Sequence, residues 1–375
     1  GSLSGEATYV INGSVVNGTA VGVLPNPKLQ WEEAKKFDIG VDLKMFDEKV
    51  SITSDYFSET RDNLLIGNIP VSGITGVYAP GSGSPTINAG AVRNRGLEFA
   101  INYEDKISES MKFKVGYNVT TIDNEVLEVN NSTGYLEGGS FGVGQLYPVR
   151  MEAGQPMGYF YGYQTDGIFQ NQAEIDAHPS QAALGAATSP GDIRYKDLNN
   201  DGVINQNDRT NIGDPIANVT MGFNFTFNYK NLDLTSYSYA SLGNDMIRNY
   251  ERTLSDVNRL NYVLDRWTGE GTSNSVPRVT TAATNNNVLS DYFVEDASFL
   301  RIQNIQLGYS FSDNLINKVG LTKLRLYTSV NNVYTFTKYR GFDPAATNGS
   351  PIGGGIDYGF YPTPRTFILG INANF

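Results

Sequence analysis

Val219-Thr220-Met221-Gly222-Phe223-Asn224-Phe225-Thr226-Phe227-Asn228-Tyr229 places an apolar side chain at every odd position and a polar or small one at every even position. A period of two is the period of a pleated strand, whose successive side chains face opposite sides. One side of this segment is therefore greasy and aromatic, the other wet. About ten such residues are what a tilted strand needs to cross the apolar layer of a membrane.

The same alternation recurs. Phe37, Ile39, Val41, Leu43 and Met45 are separated by Asp38, Gly40, Asp42 and Lys44. Leu97, Phe99, Ile101 and Tyr103 alternate with Glu98, Ala100 and Asn102, and Met111, Phe113, Val115, Tyr117 and Val119 with Lys112, Lys114, Gly116, Asn118 and Thr120. Weaker versions run through 50–59, 231–241, 298–311 and 323–336, and Phe367, Leu369, Ile371, Ala373 and Phe375 share one face at the end. About nine strands are predicted. A soluble β-sandwich also alternates, but its strands usually run to about five or six residues. The fold class expected is all-β, a portion of an antiparallel transmembrane β-barrel with about nine or ten strands.

Connections alternate in length. Short turns join the strands near 46–50, 105–111 and 230–231, with a modest one at 311–323. Long segments occupy about 60–94, 123–217, 242–297 and 337–365. In outer-membrane barrels the short turns lie in the periplasm and the long loops outside, so the pattern orients the chain and brings the last strand down to Phe375 at the periplasmic side. Nine strands that begin and end in one direction cannot close antiparallel on themselves, and bacterial single-chain barrels have even counts. Residues 7–18 are a candidate tenth strand, and further chain is expected upstream.

Composition agrees. The 375 residues include 40 Gly, 23 Tyr, 19 Phe and no Cys, with 18% charged side chains and a net charge of −11. Acidity without a basic run argues against a nucleic-acid partner. Absence of Cys excludes a disulfide-stapled scaffold. No apolar run is long enough for a transmembrane helix, and the first residues do not resemble a signal peptide.

Chemistry-bearing motifs are few. Asp197, Asn199, Asp201, Val203, Asn205 and Asp208 occupy positions one, three, five, seven, nine and twelve of a calcium-loop pattern, with Gly202 at the turn position. Oxygen side chains at those spacings, with the Val203 carbonyl, wrap a hard cation that wants six to eight oxygens. Asp208 replaces the usual Glu and reaches less far. Ca²⁺ is the one cofactor expected, with an Asx-rich turn as the alternative reading. No catalytic set is recognised. His178 stands alone before Pro179, the Glu32-Glu33 pair lacks a facing partner, and Gly353-Gly354-Gly355 reads as a flexible loop rather than a phosphate cradle. Tyr159 to Tyr163 form an aromatic segment suited to stacking on sugar rings or peptide side chains, or to anchoring loops.

Several segments, in order, resemble the SusC/RagA-like family of TonB-dependent transporters of Bacteroidetes. They are Asn26-Pro27-Lys28-Leu29-Gln30-Trp31-Glu32, Val92-Arg93-Asn94-Arg95-Gly96-Leu97-Glu98, Gly154-Gln155-Pro156-Met157-Gly158 running into Asp166-Gly167-Ile168-Phe169, and Gly191 to Gly213 through the calcium-like loop. Val294 to Arg301, Asn331-Asn332, Gly341-Phe342-Asp343-Pro344 and Tyr361-Pro362-Thr363-Pro364-Arg365 complete the series. The resemblance implies that residues 1–375 form the C-terminal part of a 22-stranded barrel in the bacterial outer membrane. It also implies an N-terminal barrel and plug segment, energy from TonB through that segment, and a SusD-like surface lipoprotein as partner. No plug or TonB box is identified within the chain. The function expected is active import of oligosaccharides or peptides without bond chemistry. A passive porin or structural barrel, and an extracellular β-fold carbohydrate-active enzyme, are the alternatives.

Overall fold

The computed structural model describes residues 8–17, 23, 25–67, 83–142, 145–250, 259–316, 320–347 and 349–375. Nine long strands pair in one antiparallel path: β1 (Glu33–Met45), β2 (Val50–Asp62), β3 (Gly90–Ser108), β4 (Met111–Thr121), β5 (Val219–Tyr229), β6 (Leu232–Leu242), β7 (Phe299–Ser310), β8 (Lys323–Thr337) and β9 (Thr366–Asn374). Each pairs with its neighbour in sequence, and a tenth strand, Asp123–Val129, pairs with the first half of β3. This order is the meander that direct connections favour.

Register carries the alternation across the whole sheet. Phe225 stands opposite Val115 on β4 and Ser236 on β6, Phe223 opposite Tyr117 and Ser238, and Phe227 opposite Phe113 and Leu234. The row continues outward, with Leu307 opposite Leu234, and Ile371 opposite Leu326. Directly opposed residues share a face, so the apolar stripe of each strand joins those of its neighbours. The other face carries Lys114 opposite Thr226, Asn224 opposite Tyr237, and Glu98 opposite Asp55. A slip of one residue would turn every stripe over.

The stripe is not covered. Phe37, Ile39, Val41 and Leu43 on β1, Leu97 on β3, and Phe367, Leu369 and Ile371 on β9 are exposed. β1 and β9 are the two ends of the path and present free edges. Long exposed edges beside exposed apolar rows invite further pairing.

The buried core sits instead in the long connections. Tyr135–Gly138, Val149–Glu152, Tyr159–Tyr163 and Arg209–Gly213 make a four-stranded sheet, and Asp245–Arg248, Val294–Asp296 and Ile356–Asp357 a three-stranded one. Val126, Val149, Met151, Phe160, Ile247 and Ile356 lie fully buried in one cluster between them.

Two expectations differ. Residues 8–17 do not add a tenth strand to the path, because Thr8–Ile11 and Ser14–Asn17 pair with each other; residues 7 and 18 fall outside the described residues. Asn12 and Gly13 both take positive φ, 52° and 80°, the combination of a two-residue hairpin turn that reverses the chain after four residues. Gly353 to Gly355 do lie in a loop before the last strand, but the loop is packed rather than flexible. A Cβ on Gly355 would meet the Pro215 Cβ at 2.5 Å and the Phe160 ring at 2.8 Å, so glycine lets the backbone pass close against the core.

Candidate functional site

The polar face of the sheet and the folded connections at one end of its strands hold the charged constellations. Two sequence motifs far apart in the chain meet there. Arg301 on β7 donates from Nη2 to Asp343 Oδ1 at 2.5 Å and from Nε to the Thr335 hydroxyl at 2.8 Å. Asp343 also accepts from the Ala345 N–H and the Thr363 hydroxyl. Burial pushes the Asp343 carboxyl up, but these three donors outweigh it and hold it below its ordinary value. Motifs 294–301, 341–344 and 361–365 thus form one latch. Beside it Glu295 bridges Arg248 at 2.6 Å and Arg340 at 2.9 Å, and Tyr339 donates to Asp357 at 2.6 Å.

The aromatic segment is an anchor with one open ring. Tyr159, Phe160 and Tyr163 are buried. Tyr161 is flanked by two guanidiniums, with Arg150 at 3.5 Å and Arg209 at 4.5 Å from its ring centre. Arg150 is balanced by Glu137 at 2.8 Å. Arg150, Tyr161 and Arg209 come from three strands of the four-stranded sheet, so no spacing in the sequence announces their meeting.

The calcium-like loop is closed by its own backbone. Asp197 accepts from the N–H groups of Asn200 and Gly202 at 2.7 and 2.8 Å, Asn199 from Asp201 at 3.0 Å, and Asp201 from Val203 at 2.9 Å. The Asn205 side chain accepts from the Asn207 N–H at 2.9 Å and donates to the Val203 carbonyl at 3.2 Å. Asp208 is fully buried and accepts from Leu198 and Asn205 at 2.9 and 2.8 Å. These are the Asx turns such residues form unaided. Each bonded carboxylate oxygen retains a further lone pair. Among the described residues no group of three or more acidic or histidine side chains gathers around one centre.

The other acidic and histidine residues singled out in the sequence make local contacts. His178 Nδ1 lies 2.9 Å from the Pro179 carbonyl, and its ring stands edge-on to Phe169. Glu32 accepts from the Leu65 N–H at 2.7 Å, while Glu33 opens β1 opposite Asp62. Asp245 is half-buried near Asp214, and its partial burial with that neighbouring charge pushes its carboxyl up to about 6.

Residues 3–201 match the family described as TonB dependent receptor-like, beta-barrel, which is a receptor family rather than an enzyme family. The chain is 30% identical to TonB-dependent receptor P3 of Formosa agariphila, covering 98% of this chain and 36% of that protein. It is 27% identical to TonB-dependent receptor SusC of Bacteroides thetaiotaomicron, covering 93% and 32%. Among solved structures the RagAB peptide transporter superposes with a TM-score of 0.72 at 22% identity, over 97% of this chain and 37% of that one, which establishes a shared fold. The chain spans about a third of the length of these curated relatives. The uncovered apolar stripe is thereby explained as a lipid-facing wall. The match over more than half of the chain, the shared fold and the ordered motifs agree, and the chain belongs to the TonB-dependent receptor β-barrel family as a SusC/RagA-like barrel portion of the bacterial outer membrane.

Proposed function

We propose that this chain forms wall and ligand-facing loops of a TonB-dependent importer that carries oligosaccharides or peptides across the outer membrane. The observation that supports this reading best is the division of the chain. Among the described residues the apolar stripe of the nine-strand wall is largely uncovered, while the connections at one end, with Val92 at the end of β3, pack into an apolar cluster beside charged latches. A passive pore needs the wall; a receptor also needs a built surface where ligand is met. The reading places connections 123–217, 242–297 and 337–365 on the extracellular side and the short turns in the periplasm. It assigns a SusD-like surface lipoprotein to the outer mouth, and TonB to an N-terminal barrel and plug segment. The relatives are named TonB-dependent receptors, and the RagAB neighbour is a peptide importer, which supports import as the reading.

Uptake of fluorescent oligosaccharide and peptide mixtures by cells expressing the intact protein tests it. Uptake is expected to fall to background on deletion of TonB, and a lipoprotein to co-purify with the barrel. Undiminished uptake without TonB would replace active import by passive diffusion.

The reading also takes Ca²⁺ at 197–208, through the Asp197, Asn199, Asp201 and Asn205 side chains, the Val203 carbonyl and Asp208. Oxygen donors in this order support it, and the bound carboxylates keep lone pairs for a cation. Calcium at millimolar concentration is expected to protect this loop from proteolysis, with the effect lost in Asp197→Asn. Equal cleavage with calcium and with a chelator would leave only the Asx turns.

A further inference from the structure

The two guanidiniums beside Tyr161, one from each flanking strand, differ in their charge partners. Arg150 pairs with Glu137 at 2.8 Å and approaches Glu152 at 3.7 Å. Arg209 has no carboxylate within 4.0 Å among the described residues. Its hydrogen bonds among the described residues run from Nη2 to the carbonyls of Tyr161 at 2.7 Å and Tyr147 at 3.0 Å, which are neutral. The adjacent acid, Asp208, is fully buried and accepts from the N–H groups of Leu198 and Asn205.

Arg209 lines a cavity of about 630 Å³ between the connections, the size of a site for a small ligand. Its other walls supply neutral polar groups, among them Gln145, Asn205, Gln206 and Asn287, and apolar ones such as Leu184 and Leu289. Among the described residues no acid lines it, in a chain whose net charge is −11. The backbone holds the guanidinium in place, because Arg209 begins a strand directly opposite Tyr163 and its Nη2 is tied to two carbonyls. A planar cation so fixed suits a carboxylate.

We propose that this cavity is a recognition subsite for a ligand carboxylate, held by the Arg209 guanidinium and flanked by the amides of Gln145, Gln206 and Asn287. The proposal rests on the import reading and narrows its substrate to acidic ligands. A free peptide C-terminus and a uronic acid sugar present the same group, and the test separates them.

Calorimetric titration of the detergent-solubilised intact protein compares two pairs of probes: N-acetyl-trialanine with its C-terminal amide, and trigalacturonate with its methyl ester. At least one acid is expected to bind about tenfold tighter than its neutral partner, as one charge-assisted contact allows. The pair that shows the preference names the source. Arg209→Gln is expected to bring the two members within about twofold, and Arg209→Lys to retain part of the difference. Should a variant not fold, salt decides in the wild type: affinity for the acid falls with ionic strength while that for the neutral partner does not. Equal affinity within both pairs, a preference unchanged in Arg209→Gln, or a salt-independent preference overturns the subsite. TonB-dependent uptake is measured separately, so the import reading stands or falls on its own result.

Discussion

Phe225→Arg is expected to destabilise the membrane-inserted protein by about 2–4 kcal/mol, whereas Thr226→Arg, one residue away, is expected to cost under about 1 kcal/mol. Phe225 lies at the middle of β5, between Val115 and Ser236, with its ring stacked near Phe227 on the apolar face. An arginine there must leave its charge in hydrocarbon or drag water and headgroups inward. Thr226 sits on the opposite face between Lys114 and Thr235, where polar side chains already gather. Denaturant unfolding of the intact protein from lipid vesicles measures both. Equal losses would mean that β5 does not separate lipid from a wet interior.

Asp343→Ala is expected to open the 337–365 connection at a cost of about 3–5 kcal/mol, the range for removing one partner of a buried ion pair. The Arg301 and Asp343 side chains are 9% and 8% exposed, so the guanidinium left behind would lose its carboxylate without gaining water. The N–H of Ala345 and the hydroxyl of Thr363 would lose their acceptor as well. Asp343→Asn keeps oxygen for one of these donors and is expected to cost less. Hydrogen exchange and limited proteolysis of the 337–365 segment read the effect, while the strands of the wall stay protected. Acid should act in the same direction. The folded Asp343 carboxyl titrates below its ordinary 3.8, so the latch contributes fully above that pH and weakens as pH falls through the lower folded value. A latch segment equally protected in wild type and Asp343→Ala would show that packing alone holds the connection.

The wall was legible because its signal is local. Alternation in 37–45, 97–103, 111–119 and 219–229 follows from the pleat alone, and each segment becomes a strand of the single path. Register could then take only the pairings that join stripe to stripe. Residues 8–17 form a hairpin rather than one strand because Asn12-Gly13 carries turn chemistry, and two positive φ values there outweigh the apolar run. The glycine run 353–355 misled for a different reason. Its composition is that of a linker, while its lack of side chains serves close packing against Phe160 and Pro215.

For the site, the sequence supplied residue types and order, and the tertiary structure supplied their meetings. Asp197 to Asp208 are twelve consecutive residues, so their turns are implicit in local spacing. Arg301 and Asp343 are 42 positions apart, and Arg150, Tyr161 and Arg209 lie on three different strands. Nothing periodic relates such positions, because chain closure over those distances is set by how the connections bury their apolar cluster. By itself the sequence determined a two-faced antiparallel wall and the family of its motifs, since both depend on neighbours along the chain. Which arginine kept a carboxylate partner and which was left facing a cavity depended on packing between distant segments, and only the tertiary structure decided it.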